Sequence, residues 1–248
     1  MVAEKKGGDL KAFYWVLGGT VIIAAGALLW SSRGGGSAAM ATGPITSIVM
    51  GELEDMEALV AMATGVERGD PDAPITIMEF GDFQCPACQQ FASMVKPQID
   101  LAYVDEGIAR FVFHDFPLSG HPHAFLAARA ARCALDQGQQ YFWPYHDQLF
   151  RNQPTWSLSS VSPTNAFESY AGALGLDEND FADCLDSDRH ADVISANMRL
   201  GMELGVTGTP SIFVSPGAGR SVRVSRWNEF EAIQSVIERM VEDAGDGN

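Results

Sequence analysis

The stretch "ITIMEFGDFQCPACQQF", residues 75–91, restricts the fold of this chain more than any other. Its first six residues are β-branched or apolar except Glu79 and follow the turn-rich "GDPDAP" of residues 69–74, the pattern of a buried strand behind a loop. After "GDFQ" the apolar period lengthens, so that Phe91, Met94, Val95, Ile99 and Val104 share one helix face. Pro86 stands at the expected helix start, where its missing N–H costs nothing, while Pro97 should kink the helix. "GIARFVFHDFPL" then returns to strand character and gives a β-α-β opening. Cys85 and Cys88 therefore fall where a strand hands over to a helix.

Two cysteines three apart can hold a metal, staple a loop or exchange electrons. A structural zinc site takes four nitrogen or sulfur ligands, commonly from two paired motifs. This chain has one such pair, and Cys133 and Cys184 stand alone. His114, His121 and His123 have no cysteine or acidic partner at helical ligand spacing, and His146 and His190 read as surface or helix-packing residues, so neither a metal nor a bound cofactor is expected. At a helix start, free N–H groups and the helix dipole favour thiolate over thiol at Cys85. A thiolate attacks disulfides and also leaves readily, which suits exchange. Cys88, one turn on, should be more buried and placed to resolve a mixed disulfide.

The net charge of −16 over 248 residues argues against a nucleic-acid partner, because phosphate binding needs clustered lysine and arginine. The N-terminus departs from this acidity. After a tail of residues 1–11 carrying Lys5, Lys6 and Lys11, residues 12–30 hold no charge and end in aromatic residues: Tyr14 and Trp15 at one side, Trp30 at the other. As a helix this segment spans about 28 Å, the thickness of a hydrocarbon core. It is read as an uncleaved transmembrane anchor in preference to a signal peptide, although the small residues Ser37–Ala41 offer a cleavage site. The lysines before it, against Arg33 after it, place the N-terminus inside and the rest of the chain outside the cytoplasm. A Gly/Ser-rich linker (31–44) and a juxtamembrane helix (45–68) lead to a folded domain at 69–248.

The remainder reads as a helical block, two short strands ("TPSIFVSPG" and "RSVRVS") and a closing amphipathic helix, "WNEFEAIQSVIERMVEDAG". "APITIMEFGDFQCPACQQF", "FVFHDFPL", "HPHAFLAARAARCALDQGQQYFWPYHDQLF" and "GVTGTPSIFV" together resemble the DsbA-type thiol–disulfide oxidoreductases, over roughly Gly69 to Asp243. The resemblance implies an α/β, thioredoxin-like fold with a helical insertion at about 120–204. It implies that Cys85 and Cys88 are catalytic, flanking Pro86 and Ala87, that Pro210 is a cis-proline beside them, and that Thr209 pairs its backbone with an extended substrate. Glu79 matches an acidic position that can relay protons from the buried cysteine. Where strong oxidases of that family carry a histidine between the cysteines, this chain has Pro86-Ala87, which implies a less depressed thiol pKa and leaves the direction of electron flow open.

Cys133 and Cys184 are expected to pair across a loop of about 50 residues, the alternative being two buried free thiols. The expected partners are unfolded or folding exported proteins and a membrane redox partner. The rival readings are a dedicated disulfide reductase and a non-enzymatic copper-binding or chaperone module on the same fold.

Overall fold

The computed structural model describes residues 56–217 and 220–246. The expected tail, anchor, linker and first part of the juxtamembrane helix lie outside these residues. Among those described, no helix is long and apolar enough to cross a membrane.

Strand β2 (Ile75–Gly81) is the centre of a five-stranded sheet of order β1-β3-β2-β4-β5, where β1 is Val66–Arg68, β3 Ala109–Asp115, β4 Ser211–Pro216 and β5 Val222–Val224. A strand buried on both faces reads as a nearly continuous apolar run, which is why "ITIMEFG" lacks clean alternation. β2 pairs parallel with β3, Glu79 standing opposite Phe113, and antiparallel with β4, Glu79 standing opposite Ile212. β1 and β5 close the two edges antiparallel to β3 and β4.

The parallel β2–β3 connection requires a crossover, supplied by a helical path from Pro86 to Val104. Its α segments, α2 (Pro86–Gln90) and α3 (Lys96–Ile99), alternate with π turns at Phe91–Val95 and Asp100–Val104. Pro97, where a kink was expected, opens the short α3 directly after the first π turn, whose wider spacing accommodates the missing proline N–H. The wider turns stretch the repeat to four residues. Phe91, Val95, Ile99 and Tyr103 face the core, while Met94, expected on the same face, is 61% exposed.

The expected helix at 45–68 is corrected at its end. Helix α1 (Met56–Met62) stops, and Val66–Arg68 forms β1, so the folded unit starts before Gly69. Val66 is buried on the sheet, and the Glu67 carbonyl accepts the Trp143 indole N–H at 3.0 Å. Leu59 of α1 and Ala63 just after it pack against Ala196.

Between β3 and β4 lie six helices: α4 (Ala124–Asp136), α5 (Gln139–Arg151), α6 (Gln153–Trp156), α7 (Thr164–Ala173), α8 (Glu178–Asp186) and α9 (Ala191–Glu203). α10 (Phe230–Asp246) closes the fold, with Ile233, Val236 and Ile237 buried. One face of the sheet carries Ile77, Glu79, Phe111 and Phe113 toward α2 and α5. The other carries Phe80 and Phe213 against Phe116 and Val206. The aromatic residues of α5 divide as core: Phe142, Trp143 and Tyr145 are buried and Tyr141 is partly so.

Polar clips hold the helical block to the sheet. Arg132 of α4 donates to Asp115 of β3 at 2.6 Å and to the Thr64 carbonyl at 2.8 Å, and Arg129 donates to the carbonyls of Leu185 and Ser187. Within the block, Cys133 and Cys184 are joined by a disulfide closing a loop of 51 residues. The chain-entropy relation assigns such a loop about 4 kcal/mol, with measured values commonly below that. The double variant Cys133→Ala/Cys184→Ala is expected to unfold at lower denaturant concentration, with a loss of about 2–4 kcal/mol. Denaturant titration followed by circular dichroism checks this.

Candidate active site

β2 ends at Gly81, where an added Cβ would lie 2.4 Å from the Phe113 ring and 3.0 Å from Glu79 Oε1. Only glycine lets the strand leave the sheet this close to both. The next residue, Asp82, has a fully buried side chain. Its carboxylate accepts the N–H of Gln84 (2.7 Å), the N–H of Leu118 (2.9 Å) and a bond with His121 Nδ1 (2.6 Å). Burial raises its pKa, and the Leu118 and His121 bonds counter that rise. Asp82 N–H in turn points at Cys88 Sγ, 3.4 Å away.

The loop is also clamped by the helical block. Gln84 donates to the Ser157 carbonyl (2.7 Å) and accepts the His123 N–H (2.7 Å). Gln153 of α6, itself buried, donates to the carbonyls of Phe83 (2.7 Å) and Cys85 (2.9 Å). None of Asp82, Gln84 or Gln153 was singled out from sequence. The two histidines of "HPH" serve this loop.

Cys85 is the N-cap of α2, in extended conformation (φ −75°, ψ 122°), with Pro86 and Ala87 opening the helix. Its thiol donates to the carbonyl of Thr209 at 3.4 Å, and the Thr209–Pro210 peptide bond is cis. Ser211, bonded to the Gly208 carbonyl and to Arg223, holds that loop against β5. The structure thus brings Cys85, Cys88, Pro86, Ala87, Thr209, Pro210 and Glu79 to one end of β2. Cys133 and Cys184 are paired within the helical block, in α4 and α8.

The two thiols, unbonded to each other here, differ sharply. Cys85 is lowered to about 5, first by a bond from the Cys88 thiol, against the opposing effect of burial, and then by the Thr209 side chain and the N–H groups of Cys88 and Ala87. This strong depression arises without a histidine between the cysteines. Cys88, with no exposed surface, is pushed well above the ordinary thiol value by burial and by the neighbouring Cys85 and Glu79 charges.

Glu79 lies on the same face, buried, and neither carboxyl oxygen finds a partner among the described residues. Burial raises it to about 8. The Lys96 charge opposes that rise, and Cys85 and Asp100 add to it. Among the described residues, metal-ligating atoms gather at Cys133, Cys184 and His190, where both sulfurs are already committed to the disulfide.

A Cys-x-x-Cys pair at a helix start, facing a cis-proline loop on a sheet with a helical insertion, defines a thioredoxin-fold thiol–disulfide oxidoreductase. The family model described as Thioredoxin matches residues 62–239. Disulfide bond formation protein D of Bacillus subtilis is 26% identical over 171 residues, covering 69% of this chain and 74% of that protein. The crystal structure of oxidised BdbD from Bacillus subtilis superposes with a TM-score of 0.64 at 26% identity, over 72% of this chain and 93% of that one. The Na(+)/H(+) antiporter NhaA 3 of Salinispora tropica is 35% identical over 149 residues, 60% of this chain but 21% of that much longer protein. The chain belongs to the thioredoxin family and, within it, to the DsbA-type thiol–disulfide oxidoreductases.

Alkylation separates the two sulfurs. The reduced protein is expected to react with iodoacetamide at a rate that rises through about pH 5 and then levels, because the thiolate is the nucleophile. Mass spectrometry should locate the adduct on Cys85, with Cys88 unmodified until strongly basic pH.

Proposed function

We propose that Cys85 and Cys88 are the redox pair through which this enzyme forms disulfides in exported proteins, as a membrane-tethered domain outside the cytoplasm. The observation that carries the reading is the asymmetry of the pair. Cys85 caps a helix beside the Thr209 carbonyl, and Cys88 lies buried one turn along.

In the oxidising direction a substrate thiolate attacks Cys85 Sγ of the Cys85–Cys88 disulfide. The Cys85–Cys88 bond breaks, and the electron pair leaves on Cys88, which takes a proton because its thiolate is disfavoured by burial. A second substrate thiolate attacks the substrate sulfur of the mixed disulfide, forms the substrate disulfide and expels Cys85 as thiolate. The Thr209 backbone lies beside Cys85, where an extended substrate segment would lie. Glu79, neutral below about pH 8, is the nearby buried acid able to supply the Cys88 proton. No bound cofactor enters these steps. A membrane oxidant takes the electron pair from the reduced enzyme and restores the disulfide.

The low pKa of Cys85 favours this direction over the reductase. A thiolate stabilised in the reduced protein makes the disulfide a better oxidant. The sign follows from linkage: with the folded pKa near 5 and the unfolded value near about 8.5, the reduced form gains stability as pH rises through that window. The oxidised form has no thiol to titrate, so the gap between them is wider at pH 7 than at pH 5. The tether itself is the apolar segment Ala12–Trp30, with exported proteins as substrates.

Oxidative refolding of a reduced, disulfide-containing protein tests the activity. The full chain should accelerate recovery, Cys85→Ser should fall to the uncatalysed rate, and Cys88→Ser should accumulate a mixed disulfide on Cys85. A reduction potential well above about −270 mV, the thioredoxin value, is expected. A value at or below it would point to a reductase.

A further inference from the structure

The disulfide of the helical block has company that a simple staple does not need. Cys133 lies near the end of α4 and Asp136 is its last residue, while Cys184 lies in α8 and His190 caps the start of α9. The two sulfurs and a ring nitrogen of His190 all lie within 4.8 Å of one another. Asp136 Oδ2 adds a fourth donor atom, 2.9 Å from His190 Nε2 and 3.6 Å from Cys184 Sγ. Two sulfurs, an imidazole and a carboxylate thus converge on one point from three helices.

These are the donor types of a four-coordinate zinc site. Zn–S and Zn–N bonds of about 2.3 and 2.0 Å set neighbouring donors about 3.3–3.8 Å apart in a tetrahedron. The Cα atoms of Cys133 and Cys184 are 5.7 Å apart, so once the sulfurs are unbonded, side-chain rotation can part them to that spacing. Sequence spacing conceals the set. Cys133 and Asp136 share a helix face at i, i+3, but Cys184 follows Cys133 by 51 residues.

The surroundings suit a closed structural site with an entrance. Cys133 and Cys184 are buried, whereas the His190 and Asp136 side chains are 15% and 35% exposed and give an ion its way in. Ser187 Oγ donates to the Cys184 carbonyl at 2.7 Å, and Arg129 holds the Leu185 and Ser187 carbonyls, fixing the end of α8. Two thiolates, a carboxylate and a divalent ion leave one net negative charge. Arg189, which reaches Asp136 Oδ2 at 3.2 Å, stands beside it.

We propose that, before the Cys133–Cys184 disulfide forms, Cys133, Cys184, His190 and Asp136 bind a divalent ion of the zinc class, so that the same two cysteines staple the block in either redox state. Binding releases the two thiol protons to solvent. Oxidation exchanges one staple for the other. The two thiolates give two electrons to the disulfide of a partner protein, the Cys133–Cys184 bond forms, the partner's two sulfurs take up two protons, and the ion leaves to solvent. His190 and Asp136 then keep the direct contact seen with the disulfide closed. Neither Cys85 nor Cys88 takes part.

The test uses the full chain carrying Cys85→Ser and Cys88→Ser, which removes the other dithiol, reduced with a phosphine and titrated with Co²⁺ as a spectroscopic stand-in for Zn²⁺. One equivalent should bring up a sulfur-to-cobalt charge-transfer band and the intense visible bands of a four-coordinate ion, and Zn²⁺ should bleach them. The oxidised chain should show neither. His190→Ala and Asp136→Ala, which leave both cysteines in place, should each weaken Co²⁺ binding about tenfold or more. Zn²⁺ should also raise the denaturant midpoint of the reduced chain and leave that of the oxidised chain unmoved. Absence of the charge-transfer band in the reduced chain overturns the proposal. So does equal Co²⁺ affinity in His190→Ala and Asp136→Ala, the result that two free thiols alone would give.

Discussion

The buried carboxylate of Asp82 is the interaction on which the site depends. A carboxylate without exposed surface needs partners, and it takes three from two parts of the chain: Gln84 beside it, and Leu118 and His121 in the loop after β3. These fix the turn between β2 and α2, the crossing to the helical block and, through its own N–H, the neighbourhood of Cys88 Sγ. The Cys85 N–H closes the same turn by donating to the Asp82 carbonyl at 3.0 Å. Once that turn is set, the helix must begin at Pro86, and the two sulfurs are separated into one at the helix mouth and one beneath it.

Burial then acts on the two thiols with opposite results. Cys85 retains donors for its thiolate, namely the Cys88 thiol and the first N–H groups of the helix, so hydrogen bonding exceeds desolvation. At Cys88 and Glu79 desolvation dominates. The site holds its negative charge at one sulfur and keeps two neighbouring acids neutral beneath it. A histidine between the cysteines is therefore one means of lowering the first thiol, and the helix mouth with the cis-proline loop is another.

Much of this was legible in the sequence because it is local. The strand, the motif, the helix start at Pro86 and the "GVTGTPSIFV" loop are contiguous patterns with their own periodicities. The rest was hidden for physical reasons. Met94 was misplaced because π turns alter the helical repeat without changing composition. β1 was folded into a helix because three residues are too few to show a period of two, and Val66 owes its burial to β3, more than forty residues on. Gln84 and Gln153 are of a residue type usually found at surfaces. Their partners Ser157 and Phe83 lie far along the chain, so nothing near them in sequence marks them as interior.

The clamp from Gln84 and Gln153 also bears on modularity. The thioredoxin-like sheet and the helical block look like a core with an insertion, yet the Phe83 and Cys85 carbonyls and the Gln84 amide are satisfied by the insertion. The redox loop is owned jointly by both halves. A minimal domain with the block excised would retain Cys85, Cys88 and the cis-proline, yet leave these polar groups without protein partners at the helix mouth. The redox loop and the helical block are therefore one unit for design: trimming the block means re-satisfying those carbonyls and that amide.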